Sequence, residues 1–164
     1  MLAVLGAALV TAVVLLVARP GASPGLKDQP APAINGITLD GSSINLANYR
    51  GRPVVINFWG PSCVPCREEF PLFLDELAEH ADERLVILGV LNLDPPEPAR
   101  AFVAELGASW PTVIDPDQEI ARAYRVLGRP QTYFVDGDGI LRSIQIGEVR
   151  KDAFDRQYAA IAPG

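Results

Sequence analysis

The sequence predicts an α/β fold in which a central mixed sheet carries helices on both faces. Two continuous apolar runs, residues 53–59 and 85–91, are typical of strands that are covered on both sides. Apolar residues at helical spacing separate the two runs, and a second helical pattern follows the later run. A predicted hairpin and a last helix complete the chain. This order of elements indicates one α/β domain.

Spacing and capping predict the two helices next to the buried strands. In the first helix the apolar residues recur every three or four positions: Phe70, Leu74, Leu77 and Ala81. The second helix is predicted to begin with the capping-box pair Asp94 and Glu97. We expect it to end at Gly107, because glycine commonly follows the last turn of a helix.

The C-terminal part predicts a hairpin between two short helices. Residues 132–146 form the hairpin around the turn sequence Asp-Gly-Asp-Gly. Alternation in its second strand predicts that Ile140, Ile144 and Ile146 share one face. A short helical pattern precedes the hairpin, and a helix around Phe154 closes the chain.

The N-terminus predicts a membrane anchor followed by a linker. The uncharged apolar run within residues 1–18 would be about 26 Å long as a helix, close to the ~30 Å hydrocarbon core of a bilayer. A cleaved signal peptide is the alternative, although no Lys or Arg precedes the run. Residues 19–33 contain four Pro and two Gly and predict a stiff linker. Residues 34–164 are then the folded domain.

Composition excludes several classes of function. The 164-residue chain has 14 Lys and Arg against 20 Asp and Glu, a net charge of −6. Nucleic-acid binding is not expected, because it requires a basic face for the phosphates. The single histidine, His80, is predicted to lie at the surface, and one histidine excludes most His-based metal sites. We therefore expect no metal.

The only two cysteines, Cys63 and Cys66, stand at the start of the first predicted helix. Their spacing allows a local disulfide, and the free N–H groups of the helix end favour the thiolate of Cys63. A purely structural disulfide and half of a zinc site are the alternatives.

Glu69, one turn later, is predicted as either a solvated helix residue or a proton relay. Pro130 is a candidate for a cis peptide bond.

Four short motifs carry a resemblance to a known family. They are Asn-Phe-Trp-Gly at 57–60, Cys-x-x-Cys-x-x-Glu-x-Pro at 63–71, Trp-Pro at 110–111 and Gly-x-Pro-x-Thr at 128–132. With these motifs the chain resembles the membrane-anchored thioredoxin-like proteins of the TlpA/ResA type, over residues 25–161.

The resemblance implies a thioredoxin-like fold outside the cytoplasm and an enzyme that exchanges disulfides with protein substrates. Cys63 and Cys66 would be catalytic and form the redox-active disulfide, with no other cofactor. Trp59, Arg129 and Pro130 would line the substrate groove, with a place in the apolar core as the alternative for Trp59. The implied partners are protein thiols and disulfides, apocytochrome c among them, and a membrane electron donor. The protein would be bound to the cell membrane, or secreted if the N-terminal segment is cleaved.

The chain departs from the family pattern at three positions. Asn57 stands where cytoplasmic thioredoxins carry a buried Asp, Ser62 replaces the Trp before the first cysteine, and Val64 replaces a frequent Glu.

Two other functions are alternatives. A thiol peroxidase is expected to carry Thr-x-x-Cys, which is not the pattern here. A copper(I) carrier would use the soft thiolates of Cys63 and Cys66.

Overall fold

A computed structural model describes residues 25–163 of the chain. The predicted anchor over residues 1–18 and the first part of the predicted linker lie outside these residues. Among the residues described, none of the helices has both the length and the apolar character needed to cross a bilayer.

The predicted strands and helices appear in the predicted order, and short strands that the sequence patterns did not indicate precede the first of them and follow the second helix. The described elements are β1 (Gln29–Pro30), β2 (Asn35–Ile37), β3 (Ser43–Asn45), a 3₁₀ turn (Leu46–Tyr49), β4 (Val54–Trp59), α1 (Val64–Glu79), β5 (Val86–Asn92), α2 (Pro96–Leu106), β6 (Thr112–Asp115), α3 (Glu119–Ala123), β7 (Gln131–Val135), β8 (Ile140–Ile146) and α4 (Lys151–Tyr158).

The main sheet is mixed, as predicted. Its strand order is β1-β8-β7-β4-β5-β6. Strands β4, β5 and β6 are parallel, whereas β7 and β8 run antiparallel to their neighbours. Strand β4 therefore lies inside the sheet, and its carboxyl end leads directly into α1.

Alternation along β4 divides the apolar core between the two faces of the sheet. Val55 and Trp59 contribute to a cluster with residues of α1, α2 and α4. Val54, Ile56 and Phe58 contribute to a second cluster with α3 and the β2–β3 hairpin. The predicted placement of helices on both faces is confirmed.

The predicted linker and the structured domain meet earlier in the chain than expected. The Asp28 N–H donates to the Leu141 carbonyl at 2.7 Å, and the Ala31 N–H donates to the Gly139 carbonyl at 2.9 Å. Residues 28–31 thus belong to the sheet, although the linker was predicted over 19–33. These residues pair with the outer edge of β8, so β1 becomes the edge strand of the sheet. An edge strand tolerates Pro30, because the N–H on its outer side has no strand to bond to.

The predicted shared face of Ile140, Ile144 and Ile146 is wrong. Leu141 pairs with Val135 and Ser143 with Phe134, so that one extra residue of β8 forms a bulge. The bulge reverses the alternation and places Ile144 and Ile146 on the face of Leu141 rather than that of Ile140.

His80 is also not the surface residue that the sequence predicted. Its side chain is only 15% exposed and lies 3.3 Å from Glu76 and 3.1 Å from Glu83. Its ring packs on Tyr158 of α4, with 4.0 Å between the ring centres. The close approach of α1 and α4 covers a residue that sits at a helix end in the sequence.

Candidate active site

Cys63 and Cys66 are joined by a disulfide where β4 gives way to α1. Cys63 is the N-cap residue of α1, and proline occupies the first turn, where no N–H donor is needed. Cys63 keeps 9% of its surface exposed, whereas Cys66 is completely buried. A partner cysteine can therefore reach Cys63 but not Cys66. The free N–H groups at the helix end favour a thiolate at Cys63 after reduction.

Glu69 is buried one helical turn after Cys66, with 1% of its surface exposed. Asn57 Nδ2 donates to Oε1 at 2.7 Å, and the Val149 N–H donates to Oε2 at 3.1 Å. Burial raises the pKa of Glu69 to about 8, against the opposing effect of these two hydrogen bonds. The interpretation of Glu69 as a solvated helix residue is wrong. Its carboxyl group can hold or release a proton near neutral pH, which a proton relay requires.

Trp59 does not line a groove. Its ring is completely buried and packs against Phe70 at 4.9 Å and Phe102 at 5.1 Å between ring centres. The predicted substrate contact of Trp59 is wrong, because the side-chain alternation of β4 directs this residue beneath α1 and α2.

The loop before β7 presents a free main-chain segment. The Arg129–Pro130 peptide bond is cis, as predicted. The Pro130 carbonyl accepts a hydrogen bond from the Gly147 N–H at 3.0 Å. Within residues 25–163, neither the N–H nor the carbonyl of Arg129 has a hydrogen-bond partner. An extended substrate segment can pair with these two groups.

The Arg129 side chain connects this loop to the segment before Cys63. Its Nη1 lies 2.5 Å from Asp94 Oδ2 and donates to the Asn92 carbonyl at 2.6 Å. Its Nη2 donates to Ser62 Oγ at 3.2 Å, and Ser62 Oγ donates to Asp94 Oδ2 at 2.9 Å. We call Arg129, Asp94 and Ser62 the ion-pair network.

Asp94 was missed as a site residue, because its spacing from Glu97 predicted a helix cap. Helix α2 instead begins at Pro96 with Pro95 as its N-cap. Burial would raise the pKa of Asp94, but the hydrogen bonds from Arg129 and Ser62 outweigh it and lower the pKa. The replacement of the family's Trp by Ser62 was the sequence signal for a polar contact at this position.

Four exposed apolar side chains lie on the segments that carry or adjoin the site residues. Val64 directly follows Cys63, Leu93 precedes Asp94, Leu127 lies two residues before Arg129, and Ile146 pairs with the residue after Pro130. They are exposed to 70%, 63%, 80% and 63%. We call these four residues the apolar rim. Exposed apolar groups of this kind are typical of protein interaction sites.

A CxxC disulfide at the start of a helix, beside a cis-proline loop on a mixed sheet, defines the class of thioredoxin-like thiol-disulfide oxidoreductases. Comparison with known proteins agrees with this class. Residues 28–144 match the AhpC/TSA family. The chain is 31% identical to the thiol-disulfide oxidoreductase ResA of Geobacillus kaustophilus over 125 residues, which are 76% of this chain and 72% of the relative. It is 32% identical to ResA of Bacillus thuringiensis over 135 residues, 81% of this chain and 77% of the relative.

Comparison with solved structures indicates the same class of protein. A thiol:disulfide interchange protein DsbE from Chlorobium tepidum superposes with a TM-score of 0.76 at 26% identity, covering 82% of this chain and 96% of that one. DsbF of Mycobacterium tuberculosis superposes with a TM-score of 0.71 at 27% identity, covering 79% and 95%. The chain belongs to the AhpC/TSA family of thioredoxin-like proteins, with ResA-type thiol-disulfide oxidoreductases among its relatives. It is a thiol-disulfide oxidoreductase.

Proposed function

We propose that the protein is anchored in the cell membrane by residues 1–18 and exchanges its Cys63–Cys66 pair with protein cysteines outside the cytoplasm. Apocytochrome c is the proposed substrate, and a membrane electron donor returns Cys63 and Cys66 to the dithiol. The observation that carries the substrate class is the combination of an accessible edge at Cys63, an unpaired main chain at Arg129 and the exposed side chains of the apolar rim.

The docking geometry supports a protein substrate. An extended segment that pairs with the N–H and carbonyl of Arg129 gains two main-chain hydrogen bonds. Its side chains can then cover exposed members of the apolar rim such as Leu127 and Ile146. A polypeptide offers both kinds of contact at once, whereas a small thiol or a peroxide offers neither.

The reaction proceeds through a mixed disulfide. The Cys63 thiolate attacks a substrate disulfide, a new S–S bond forms, and one substrate sulfur leaves as a thiolate. Cys66 then gives its proton to the Glu69 carboxylate and attacks the sulfur of Cys63. The substrate leaves with two reduced cysteines, and the protein holds the disulfide. Burial keeps the pKa of Glu69 high enough, about 8, for its carboxylate to accept this proton.

The location is tested in intact cells that produce the full chain. We expect alkaline extraction to leave the protein in the membrane pellet, and an impermeant thiol reagent to label Cys63 without lysis. A soluble form beginning near residue 24 would instead support secretion after cleavage. Labelling only after lysis would refute the extracytoplasmic location.

The substrate is tested with the reduced full chain. We expect it to reduce a disulfide in an apocytochrome c peptide faster than the same disulfide in a peptide without the flanking residues. Faster reaction with hydrogen peroxide than with either peptide would favour the thiol peroxidase. Stoichiometric copper(I) binding without peptide reduction would favour the copper carrier.

A further inference from the structure

The ion-pair network lies one residue away from each of the two segments that face a substrate. Ser62 directly precedes Cys63, and Arg129 directly precedes Pro130. The side chains of Arg129 and Asp94 are only 14% and 12% exposed. Solvent therefore screens their two charges less than those of a surface pair. A charge on Cys63 forms one residue after Ser62, whose hydroxyl bonds to both members of the pair.

The Arg129–Asp94 ion pair packs directly against the backbone at Gly60. A Cβ atom at Gly60 would overlap Arg129 Nη1 and Asp94 Oδ2. The guanidinium and the carboxylate thus lie directly over the backbone that connects β4 to Cys63. The Asn92 carbonyl, at the end of β5, accepts a hydrogen bond from the guanidinium. The pair thus contacts the segment before Cys63, the end of β5 and the loop before β7. It is not an incidental surface contact.

We propose that Arg129 and Asp94 act on the Cys63 thiolate with opposite and balanced effects, so that removing either charge alone changes how readily the Cys63–Cys66 disulfide accepts electrons. This inference deepens the proposed function, because it concerns the same disulfide, but it needs only the exchange chemistry and no particular substrate. Arg129 and Asp94 act through Cys63 and are positioning residues.

The balance follows from the charge that reduction creates. A dithiol donor gives two electrons to the disulfide, so the Cys63–Cys66 bond breaks and a disulfide forms in the donor. Both donor protons pass to the protein sulfurs, and Cys63 then releases its proton to solvent when it becomes a thiolate. The Arg129 cation attracts this thiolate, and the Asp94 carboxylate repels it. With both present, the two effects largely cancel.

Other charged groups lie on the same helix or on a nearby segment, and the variants below leave them unchanged. Helix α1 carries Arg67, Glu68 and Glu69, and the segment before α4 carries Glu148. Glu69 bonds to Asn57 and Val149 rather than to the ion pair.

Two single variants are expected to shift the redox equilibrium in opposite directions. Asp94→Asn keeps an oxygen acceptor for Ser62 and removes the negative charge. The full-length variant, equilibrated with a glutathione buffer at pH 8, should hold about fivefold more dithiol relative to disulfide than the wild type. Arg129→Met keeps an apolar stem and removes the positive charge. It should hold about fivefold less dithiol.

Alkylation of Cys63 by iodoacetamide across pH supplies the second readout. The pKa of the Cys63 thiol should fall in Asp94→Asn and rise in Arg129→Met. Arg129→Lys should stay within about twofold of the wild-type redox equilibrium, and so should the double variant without either charge. At a pH where the Cys63 thiol is fully protonated in every variant, the differences should disappear.

A matched control removes the same charges elsewhere. Asp152→Asn and Arg156→Met break an exposed ion pair of 2.9 Å on α4 and should leave the equilibrium unchanged. Shifts of Asp94→Asn and Arg129→Met in the same direction, or no shift in either, would overturn the inference. A wild-type disulfide that glutathione and dithiothreitol cannot reduce would instead refute the exchange function itself.

Discussion

Helix α1 carries two buried carboxyl groups seven residues apart, and the groups that surround them differ. Glu69 is held by neutral donors, the Asn57 amide and the Val149 N–H. Glu76 lies instead among cationic or protonatable groups, 3.0 Å from Lys151 and 3.3 Å from His80. Burial raises the pKa of both carboxyl groups, but only at Glu76 does a nearby cation oppose it.

The difference distinguishes the start of α1, around Glu69, from its end, around Glu76. We call the first the chemical end of α1 and the second its structural end. A buried carboxyl group that has only neutral partners changes its protonation near neutral pH, which suits a group next to a reacting thiol. A carboxylate beside Lys151 joins α1 to α4 and has no reacting neighbour. Predictions for the two ends should therefore differ in kind, not only in size.

The largest effect is expected from the cysteines at the chemical end. Cys63→Ser should abolish exchange and trap no partner, because no nucleophile remains within reach of a substrate. Cys66→Ser should accumulate covalent complexes with substrate proteins, because the mixed disulfide can no longer be resolved. Non-reducing gels of cells that produce each variant measure this. Equal trapping by both variants would show that the roles of the two cysteines are assigned wrongly.

The next effect concerns stability and pH. Since the pKa of Glu69 is about 8 in the folded protein and near 4.5 when unfolded, its carboxyl group favours folding below pH 4.5. That contribution is lost as pH rises through 8, by about 3–5 kcal/mol. Glu69→Gln, measured by urea unfolding of the disulfide form, should lose less stability than the wild type between pH 5 and 9. Parallel pH profiles would contradict the raised pKa.

A smaller effect is expected on the rate of exchange. Glu69→Gln cannot accept the proton of Cys66, so release of substrate from the mixed disulfide should slow by about 10- to 100-fold. The first attack by Cys63 should change less. Stopped-flow mixing with a fluorescent disulfide peptide separates the two steps. Glu76→Gln, the matched buried carboxyl on the same helix, should leave both rates unchanged, and equal slowing in the two variants would remove the distinction between the ends of α1.

The smallest effect is expected at the structural end. Glu76→Gln removes one of three carboxylates that pair with Lys151, the others being Glu79 and Asp155, and the Lys151 side chain is 49% exposed. The loss of stability should therefore be about 1 kcal/mol, well below that of breaking a fully buried pair. Thermal unfolding of the variant measures it. A loss as large as that from truncating a core aromatic residue such as Phe154 would mean that this contact is essential for folding.

Sequence patterns predicted much of the fold and the centre of the site. Buried strands, helical spacing and the CxxC pair are local features, and each appears where the sequence placed it. The cis bond at Arg129–Pro130 was also predictable, because it depends on a proline just before a strand. Burial, by contrast, depends on contacts between distant segments. The sequence left Trp59 open between core and groove, and packing against α2 placed it in the core. His80 was expected at the surface, and packing against α4 covered it.

The sequence by itself determined that two cysteines stand at a helix start behind a buried strand, because both patterns are read within a few neighbouring residues. Only the tertiary structure decided the state of their surroundings. Burial raises the pKa of Glu69, and its carboxyl group accepts a hydrogen bond from Val149, 80 residues later. Asp94 joins Arg129, 35 residues away, rather than capping α2. Desolvation and charge pairing depend on which side chains meet in space, and no local spacing encodes that.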